Sequence, residues 1–274
     1  MKRIFFVLFC ACVCLAGCGQ DQYAIERDYW KVNQKAQAIF KNPVATPPNE
    51  VERVVAQLNK FVSKYSKNTL AVRAGLSIGK LYLVKGQYEQ ARLQFKNMAK
   101  QYAKSGSVVA ECLFLTGNTY QLQDQPDNAV AQYRTIISKY PLSQRGLQMP
   151  MYIAQYYGSR KEPQNMREAY SQAIAHYESL AQKDMKSALA LRAYTLVAEC
   201  YAGLKDWQQA IASLETIETN FKDKAPMDGV LLNIAIIYQR ELRDKPNARA
   251  TLQRIIDEYP KSRYVKAVQE LLKK

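Results

Sequence analysis

The sequence predicts an all-α solenoid of about six helix pairs, closed by a C-terminal capping helix. Three observations predict it. Small and aromatic residues recur at an interval of 37–38 positions, each interval holds two segments with helical apolar periodicity, and a turn signal separates the intervals. Intervals of this length are typical of stacked helix pairs, in which each pair buries its apolar face against the next.

The recurrence is clearest in two consecutive units. The register consists of Gly79, Tyr82, Ala91, Phe95 and Tyr102, followed 38 positions later by Gly117, Tyr120, Ala129, Tyr133 and Tyr140. The later units carry degenerate copies at Ala154, Tyr157, Ala173, Tyr177, Ala198, Tyr201, Ala210, Leu214, Ala235, Tyr238, Ala248 and Leu252. We expect the small residues to let paired helices approach and the large residues to fill the space between them.

Apolar spacing predicts the helices in chain order. Residues 23–40 form a first amphipathic helix, with Tyr23 and Trp30 among its apolar candidates, and a proline-rich break leads to a second helix over 51–65. Helix pairs follow at 69–104, 106–140, 143–183, 187–221 and 227–259. The third pair is predicted to be lengthened by an insertion near 158–165. Residues 262–274 form the cap, with Leu271 and Leu272 packing inward.

The turn signal is Tyr140-Pro141-Leu142-Ser143, repeated as Tyr259-Pro260-Lys261-Ser262. Proline pushes the residue before it out of the α region and so ends a helix. The serine that follows is expected to cap the next helix.

This pattern resembles the tetratricopeptide repeat (TPR) over residues 69–262, with 23–65 as a divergent first pair. The units are longer than the roughly 34 residues usual for that repeat. The longer unit and its Tyr-Pro-x-Ser ending are similar to the BamD family, lipoproteins of the outer-membrane β-barrel assembly machinery. They are also similar to periplasmic TPR proteins that coordinate the Tol-Pal system with cell-wall synthesis. The resemblance implies a scaffold that binds envelope proteins, such as an outer-membrane barrel assembly factor.

The first residues are typical of a secretory signal. Lys2 and Arg3 precede a twelve-residue apolar stretch, too short to span a bilayer. The stretch ends in Leu15-Ala16-Gly17-Cys18, which resembles the lipobox of bacterial lipoproteins. The resemblance implies cleavage of the signal peptide 1–17, lipid on Cys18, a tether over 18–22 and a TPR-like domain over 23–274. Gly19 follows the cysteine, which in the enterobacterial sorting rule implies the outer membrane, facing the periplasm. The alternative is an ordinary cleaved signal with a coincidental cysteine.

The net charge of the chain limits the classes of partner that are expected. Loss of residues 1–17 removes Lys2 and Arg3 and no acidic residue, so the net charge falls from +15 to +13. A lipoprotein outside the cytoplasm does not meet nucleic acid, and no RNA-recognition signature is present. Anionic headgroups, cell-wall polymer and acidic protein patches are the expected partners of the positive charge.

Two cysteines remain in the mature chain besides Cys18. Cys112 and Cys200 lie 88 residues apart in different units, and a disulfide needs Cα atoms within about 7 Å. We therefore expect two buried free thiols instead of a bridge.

The sequence lacks the patterns of an enzyme. It has no His-Glu-x-x-His and no phosphate-binding glycine loop, and Cys-x-x-Cys is absent from the mature chain. His176 is the only histidine and is expected to be a solvated or hydrogen-bonded helix residue. We predict no catalytic activity, no metal and no cofactor.

In TPR arrays the first helix of each pair lines the binding groove, so the resemblance implies candidate partner contacts. They are Arg73, Leu76, Lys80, Leu83, Phe114, Asn118, Gln121, Met151, Gln155, Arg192, Glu199 and Gln239. The alternative is that many of them pack between repeats. Leu76 and Lys80 stand where chaperone-binding TPR proteins carry a Lys and Asn clamp, which disfavours that function.

A basic stripe is predicted on the second helix of the 69–104 pair. Arg92, Lys96, Lys100 and Lys104 are spaced four apart, and Lys60, Lys64 and Lys67 could extend the stripe. Such a stripe is either a solvated face or a landing surface for anionic lipid or an acidic partner.

The favoured function is a non-catalytic TPR lipoprotein that scaffolds cell-envelope biogenesis, in the manner of BamD in outer-membrane protein assembly. The alternatives are Tol-Pal or cell-wall coordination, and pilus or secretion assembly. A further alternative is a glycan-binding lipoprotein in which Tyr-rich grooves stack on sugars.

Overall fold

The computed structural model describes residues 22–273, and within that range every regular element is helical. The thirteen α-helices are α1 Gln22–Lys41, α2 Pro48–Lys64, α3 Thr69–Val84, α4 Tyr88–Gln101, α5 Gly106–Leu122, α6 Pro126–Lys139, α7 Gln144–Ser159, α8 Pro163–Gln182, α9 Ala188–Leu204, α10 Trp207–Phe221, α11 Asp228–Ile236, α12 Lys245–Glu258 and α13 Val265–Leu272. A π-helical segment, Ile237–Glu241, continues α11. The all-α prediction is confirmed. The predicted signal peptide, the predicted lipidation site Cys18 and most of the predicted tether lie outside the described residues.

The chain divides after Ala103 into two compact units. The N-terminal unit holds α1–α4 and the C-terminal unit holds α5–α13. In each unit consecutive helices pack against one another, as expected for helix hairpins. A single continuous array over 23–274 stays a prediction.

The N-terminal core forms where α1, α2 and α3 meet. Val54, Leu58 and Ile78 are buried there. A polar contact joins α1 to the end of α2: the Tyr65 hydroxyl donates to Asp28 Oδ2 at 2.6 Å, and Lys64 Nζ lies 3.2 Å from the same oxygen. The hydrogen bond from Tyr65, with the one from Lys64, lowers the pKa of Asp28 from 3.8 to about 2.

The predicted small-and-large register is confirmed by two close approaches. A Cβ added at Gly79 would lie 2.2 Å from Phe95 Cε1, and one at Gly117 would lie 2.3 Å from Tyr133 Cε1. Each ring is fully buried. The 38-residue interval therefore repeats one contact, in which an aromatic ring of the second helix lies on a glycine of the first.

The hairpin turns repeat as closely as the helices. In the five hairpins that follow α1–α2, one residue of the turn has positive φ: Gly86, Asp124, Lys161, Lys205 and Arg243. The amide that follows it donates to the carbonyl of the repeating tyrosine, for example Gln87 N to Tyr82 O at 2.9 Å and Gln125 N to Tyr120 O at 2.9 Å. This bond satisfies a carbonyl that the helix end would leave unpaired. Only one of the five turns uses glycine.

Lys205→Gly should therefore stabilise the C-terminal unit. Lys205 has φ 60°, and the left-handed region costs a residue with a side chain about 1 kcal/mol relative to glycine. The midpoint temperature of thermal unfolding should therefore rise. The matched control is Lys222→Gly, because Lys222 ends α10 with φ −55° and gains nothing from glycine. A Lys205→Gly protein no more stable than the wild type would contradict this account of the turn.

The corners between pairs bear out the capping prediction only in part. Ser143 Oγ accepts from Gly146 N at 2.9 Å, and Ser187 Oγ accepts from Ala190 N at 3.1 Å. Ser105 makes no such bond to α5. Ser262 Oγ accepts from the amide of Tyr264, which precedes α13, and donates to Asp228. The cap predicted at Ser143 is therefore confirmed, whereas the one predicted at Ser262 was wrong, because α13 begins at Val265 without a side-chain cap.

Two predicted details of the helices were also wrong. The turn between α7 and α8 is only residues 160–162, so the extra length of the third pair is not an insertion at 158–165. It prolongs α8, which has 20 residues where α4, α6 and α12 have 14. In α13 the buried residue is Val268. Leu271 is 37% exposed, and only Leu272 packs against the core from that pair.

Cys112 and Cys200 are free and buried, as predicted. Burial raises the pKa of each thiol to about 12. Since the thiolate is the reactive form, a Cys18→Ser chain starting at residue 18 should not react with a disulfide reagent at pH 8 while folded. Both thiols should react after addition of guanidinium. Fast labelling of the folded protein, or a disulfide found by mass spectrometry, would contradict this.

Candidate partner-binding face

The predicted contact residues all lie on the first helices of the pairs or on the π-helical segment. In the N-terminal unit they are on α3, and in the C-terminal unit on α5, α7, α9 and Ile237–Glu241. Not one of the twelve is buried: the exposed ones are Arg73, Lys80, Gln155, Arg192, Glu199 and Gln239, and the half-buried ones are Leu76, Leu83, Phe114, Asn118, Gln121 and Met151. Whether they contact a partner stays a prediction.

Phe114 is occupied by contacts within the C-terminal unit. The Arg145 guanidinium lies 3.6 Å from the centroid of the Phe114 ring. The same guanidinium binds Glu111 through Nε and Nη2, at 2.6 and 3.2 Å. Because Glu111 is on α5 and Arg145 on α7, this group joins two first helices. Phe114 therefore packs between repeats, which is the alternative that the sequence left open.

Asn118 and Gln121 also bind neighbouring helices. Asn118 Oδ1 accepts from the Tyr133 hydroxyl at 2.8 Å, and Gln121 Oε1 accepts from the Tyr152 hydroxyl at 3.2 Å. Burial is the main cause of the raised pKa of Tyr133, so its hydroxyl stays a donor. The α5 candidates thus hold α5 to α6 and α7, and their availability to a partner is limited.

The candidates on α7 and α9 are more available. Gln155 is exposed and forms no side-chain hydrogen bond within residues 22–273. Arg192 Nη1 lies 3.8 Å from Glu199 Oε1, and the two side chains are 52% and 44% exposed. An exposed pair of this kind contributes little to stability and is easily rearranged by a partner. Together with the half-buried Met151, the face offers charges, amides and an apolar patch, which suit an extended segment or a partner helix.

In the C-terminal unit, Tyr152 of α7 packs edge to face against Phe114 of α5 and Tyr133 of α6. The ring centroids of Tyr133 and Tyr152 are 5.3 Å apart at 87°, and those of Phe114 and Tyr152 are 5.7 Å apart at 72°. This geometry stabilises a protein interior. A sugar-stacking platform would need an open ring face, and the Phe114 face is covered by Arg145.

In the N-terminal unit, sequence reasoning missed two residues beside Arg73. It placed Tyr23 and Trp30 on the apolar face of the first helix, but they are 71% and 59% exposed. They line a groove of about 680 Å³ between α1 and the start of α3, together with Arg73 and Leu70. The seven-residue spacing of the two aromatics, out of phase with Ile25 and Val32, was the available signal.

The basic stripe is shorter than predicted. Lys96 and Lys100 are exposed on α4, whereas Lys104 lies beyond the end of that helix at Gln101. Arg92 is half-buried and paired with Glu89. Lys64 is bound to Asp28. On α4 the remaining exposed charges of the stripe are Lys96 and Lys100, and Lys60 and Lys67 are exposed on and after α2.

His176 differs from its prediction. It is half-buried on α8, and its Nε2 atom is buried and has no hydrogen-bond partner in the described part of the chain. Burial and the nearby Lys183 lower its pKa, which favours the neutral ring. Across residues 22–273, no cluster of three or more His, Cys, Asp or Glu side chains could hold a metal ion. None of the helices described is long and apolar enough to span a bilayer.

Comparison with protein families shows what kind of repeat this is. Three segments match the tetratricopeptide repeat model: residues 111–143, 192–223 and 230–262. They correspond to α5–α6, α9–α10 and α11–α12. The fold is therefore an all-α array of TPR-type helix pairs. TPR proteins are generally non-catalytic scaffolds that bind protein partners.

No curated protein matches the chain significantly. Among solved structures, BtubC from P. vanneervenii is similar over 91% of this chain and 92% of its own, with 13% identity and a TM-score of 0.44. PilW, a widely conserved type IV pilus biogenesis factor, covers 87% and 98%, with 12% identity and a TM-score of 0.42. A TPR protein from Parabacteroides merdae covers 85% and 80%, with 12% identity and a TM-score of 0.39. Similarity at this level carries no inference about function.

Proposed function

We propose that the protein is a lipid-anchored, non-catalytic scaffold of the bacterial cell envelope, held by lipid on Cys18 at the periplasmic face of the outer membrane. The observation that carries the anchor is Leu15-Ala16-Gly17-Cys18, placed after a short apolar segment and directly before the helical array. Two or three acyl chains give durable membrane binding, where one chain is marginal.

Mass spectrometry of the protein made in a bacterial host tests the anchor. The expected N-terminal peptide begins at Cys18 and carries diacylglycerol, and the protein sediments with the outer membrane. Cys18→Ser should abolish the lipid and leave the array folded. An unmodified Cys18, in a protein recovered from the soluble periplasm, would reject the lipoprotein proposal.

The proposed role is docking of envelope proteins during outer-membrane protein assembly, similar to that of BamD. The long repeat unit with its Tyr-Pro-x-Ser corner supports this role. The exposed polar and charged groups on α7 and α9 support a protein partner. Co-purification from solubilised membranes should recover a large integral β-barrel protein. Recovery of a peptidoglycan-associated or pilus protein instead would favour the alternative envelope roles.

We expect the basic stripe to contribute to that docking. Lys96→Glu with Lys100→Glu changes two exposed side chains on α4, so the fold should survive. Binding of an acidic partner should weaken several-fold in pull-down, with an effect that shrinks as salt is raised. The control is Lys183→Glu with Lys266→Glu, which makes the same change of charge in the C-terminal unit. Unchanged binding by the Lys96 and Lys100 variant in moderate salt would reject this contribution.

A further inference from the structure

We propose that the outward face of α1 lies on the lipid surface that carries the anchor. Tyr23 and Trp30 would sit among the headgroups, and Arg27 and Arg73 would bind lipid phosphates. This inference rests on the proposed lipidation of Cys18, and it adds a second membrane contact made by the folded protein.

The first argument is the arrangement of α1. The helix buries Ile25, Val32 and Ile39 against the core and turns Tyr23 and Trp30 the other way. Seven residues are close to two full turns, so the two rings lie on one side of the helix about 10 Å apart. Exposed tryptophan and tyrosine are the residues enriched at membrane interfaces, where an apolar ring meets a polar edge.

The second argument is the charge beside the rings. Arg27 and Arg73 line the same groove as Tyr23 and Trp30, and Glu26, the acidic residue of its lining, accepts a hydrogen bond from Gln22 at 2.7 Å. Arg73 forms no hydrogen bond or ion pair with the rest of residues 22–273. Arg27 makes only a 3.5 Å contact with Asp28, whose carboxylate is held by Tyr65 and Lys64. Both guanidinium groups can therefore bind phosphate, which they do through paired N–H groups.

The third argument is distance. Three residues separate Cys18 from Gln22, the first residue of α1. At about 3.5 Å per residue, the extended tether reaches only about 14 Å. Anchored lipid therefore keeps the start of α1 close to the headgroups. The positive charge of the mature chain favours an anionic leaflet over a neutral one. All three observations fit binding to a membrane. A protein segment could bind in the groove whatever the length of the tether, so the short tether favours the membrane.

The experiment attaches the lipid chemically, so that it does not depend on processing in cells. A chain beginning at Cys18 is coupled through that thiol to a maleimide phospholipid in vesicles of phosphatidylcholine and phosphatidylglycerol. Cys112 and Cys200 are buried and should not couple. Trp207→Phe leaves Trp30 as the only tryptophan. Its emission should shift to shorter wavelength on coupling and fall by roughly half with brominated lipids, as for a ring at the headgroup–acyl boundary.

Three controls make the result specific. Trp30→Phe, which leaves Trp207 in the C-terminal unit, should show neither change. Arg27→Glu with Arg73→Glu should lose the shift, and Lys183→Glu with Lys266→Glu should keep it. Circular dichroism verifies that each variant is folded. Trp30 emission that is the same in coupled and uncoupled protein would overturn the proposal, as would quenching that appears only when a protein partner is added. Neither result bears on whether cells lipidate Cys18, which mass spectrometry decides separately.

Discussion

Gly146→Ala is expected to destabilise the C-terminal unit by about 3 kcal/mol or more, the upper end of the range for overpacking. A Cβ at this position would lie 2.0 Å from the Tyr140 carbonyl oxygen and 2.7 Å from Pro141 C and O. These are backbone atoms of the corner between α6 and α7, so they cannot rotate away as a side chain can. The corner must open, and the bond from Gly146 N to Ser143 Oγ is then lost.

Thermal unfolding followed by circular dichroism measures this effect. For a unit of this size we expect the Tm to fall by roughly 10 °C. The matched control is Gly229→Ala, near the start of α11, where the added Cβ comes no closer than 3.9 Å to Tyr264. That change should be neutral or stabilising by up to about 1 kcal/mol, because alanine favours the helix. Equal stability of the two variants would contradict the described corner.

Gly117→Ala should give the second largest effect, a loss of about 2 kcal/mol in the free energy of unfolding. The new Cβ would meet Tyr133 at 2.3 Å from Cε1 and 2.7 Å from Cζ. Tyr133 is fully buried and its hydroxyl is bound to Asn118, so the ring has no free rotamer. Gly79→Ala should behave similarly against Phe95, because the two positions are one repeat apart.

A double-mutant cycle separates this clash from other causes. Tyr133→Leu removes the two ring atoms that the new Cβ would meet, at the expense of a hydrogen bond and some packing. In that background Gly117→Ala should cost less than half of its effect in the wild type. An equal cost in both backgrounds would show that Tyr133 is not what requires glycine at position 117.

The sequence predicted the helix pairs well because their contacts are local and periodic. Gly117 and Tyr133 are sixteen residues apart, and the same pair of residue types recurs one unit earlier. A steric contact between residue types that recur at a fixed spacing can be predicted from the sequence alone. The corner at Tyr140 and Ser143 was also predicted, because proline and serine act on the backbone next to them.

Other features depended on information that residue types do not hold. The extra residues of the third pair are compatible with either a longer turn or a longer helix. In the structure they lengthen α8. From the sequence, Tyr23 and Trp30 are among the apolar candidates of the first helix, although their spacing relative to Ile25 and Val32 places them on the outward side of α1.

Side-chain partners explain the remaining differences at the candidate face. Phe114, Asn118 and Gln121 have the residue types of a binding groove. However, each of them is in contact with a residue of another helix: Arg145, Tyr133 and Tyr152, respectively. Such contacts between helices leave no local trace in the sequence. Gln155, Arg192 and Glu199 remain the best available candidates for a partner.

Site-specific photo-crosslinking in the bacterial envelope tests the central claim most directly. A photoreactive residue is placed at Gln155 on α7, and at Gln208 on α10 as a control of the same residue type and exposure. If the first helices bind the partner, Gln155 yields a covalent adduct with an envelope protein and Gln208 does not. Adducts at Gln208 alone, or none at Gln155 and along α9, would contradict a scaffold that binds through its first helices.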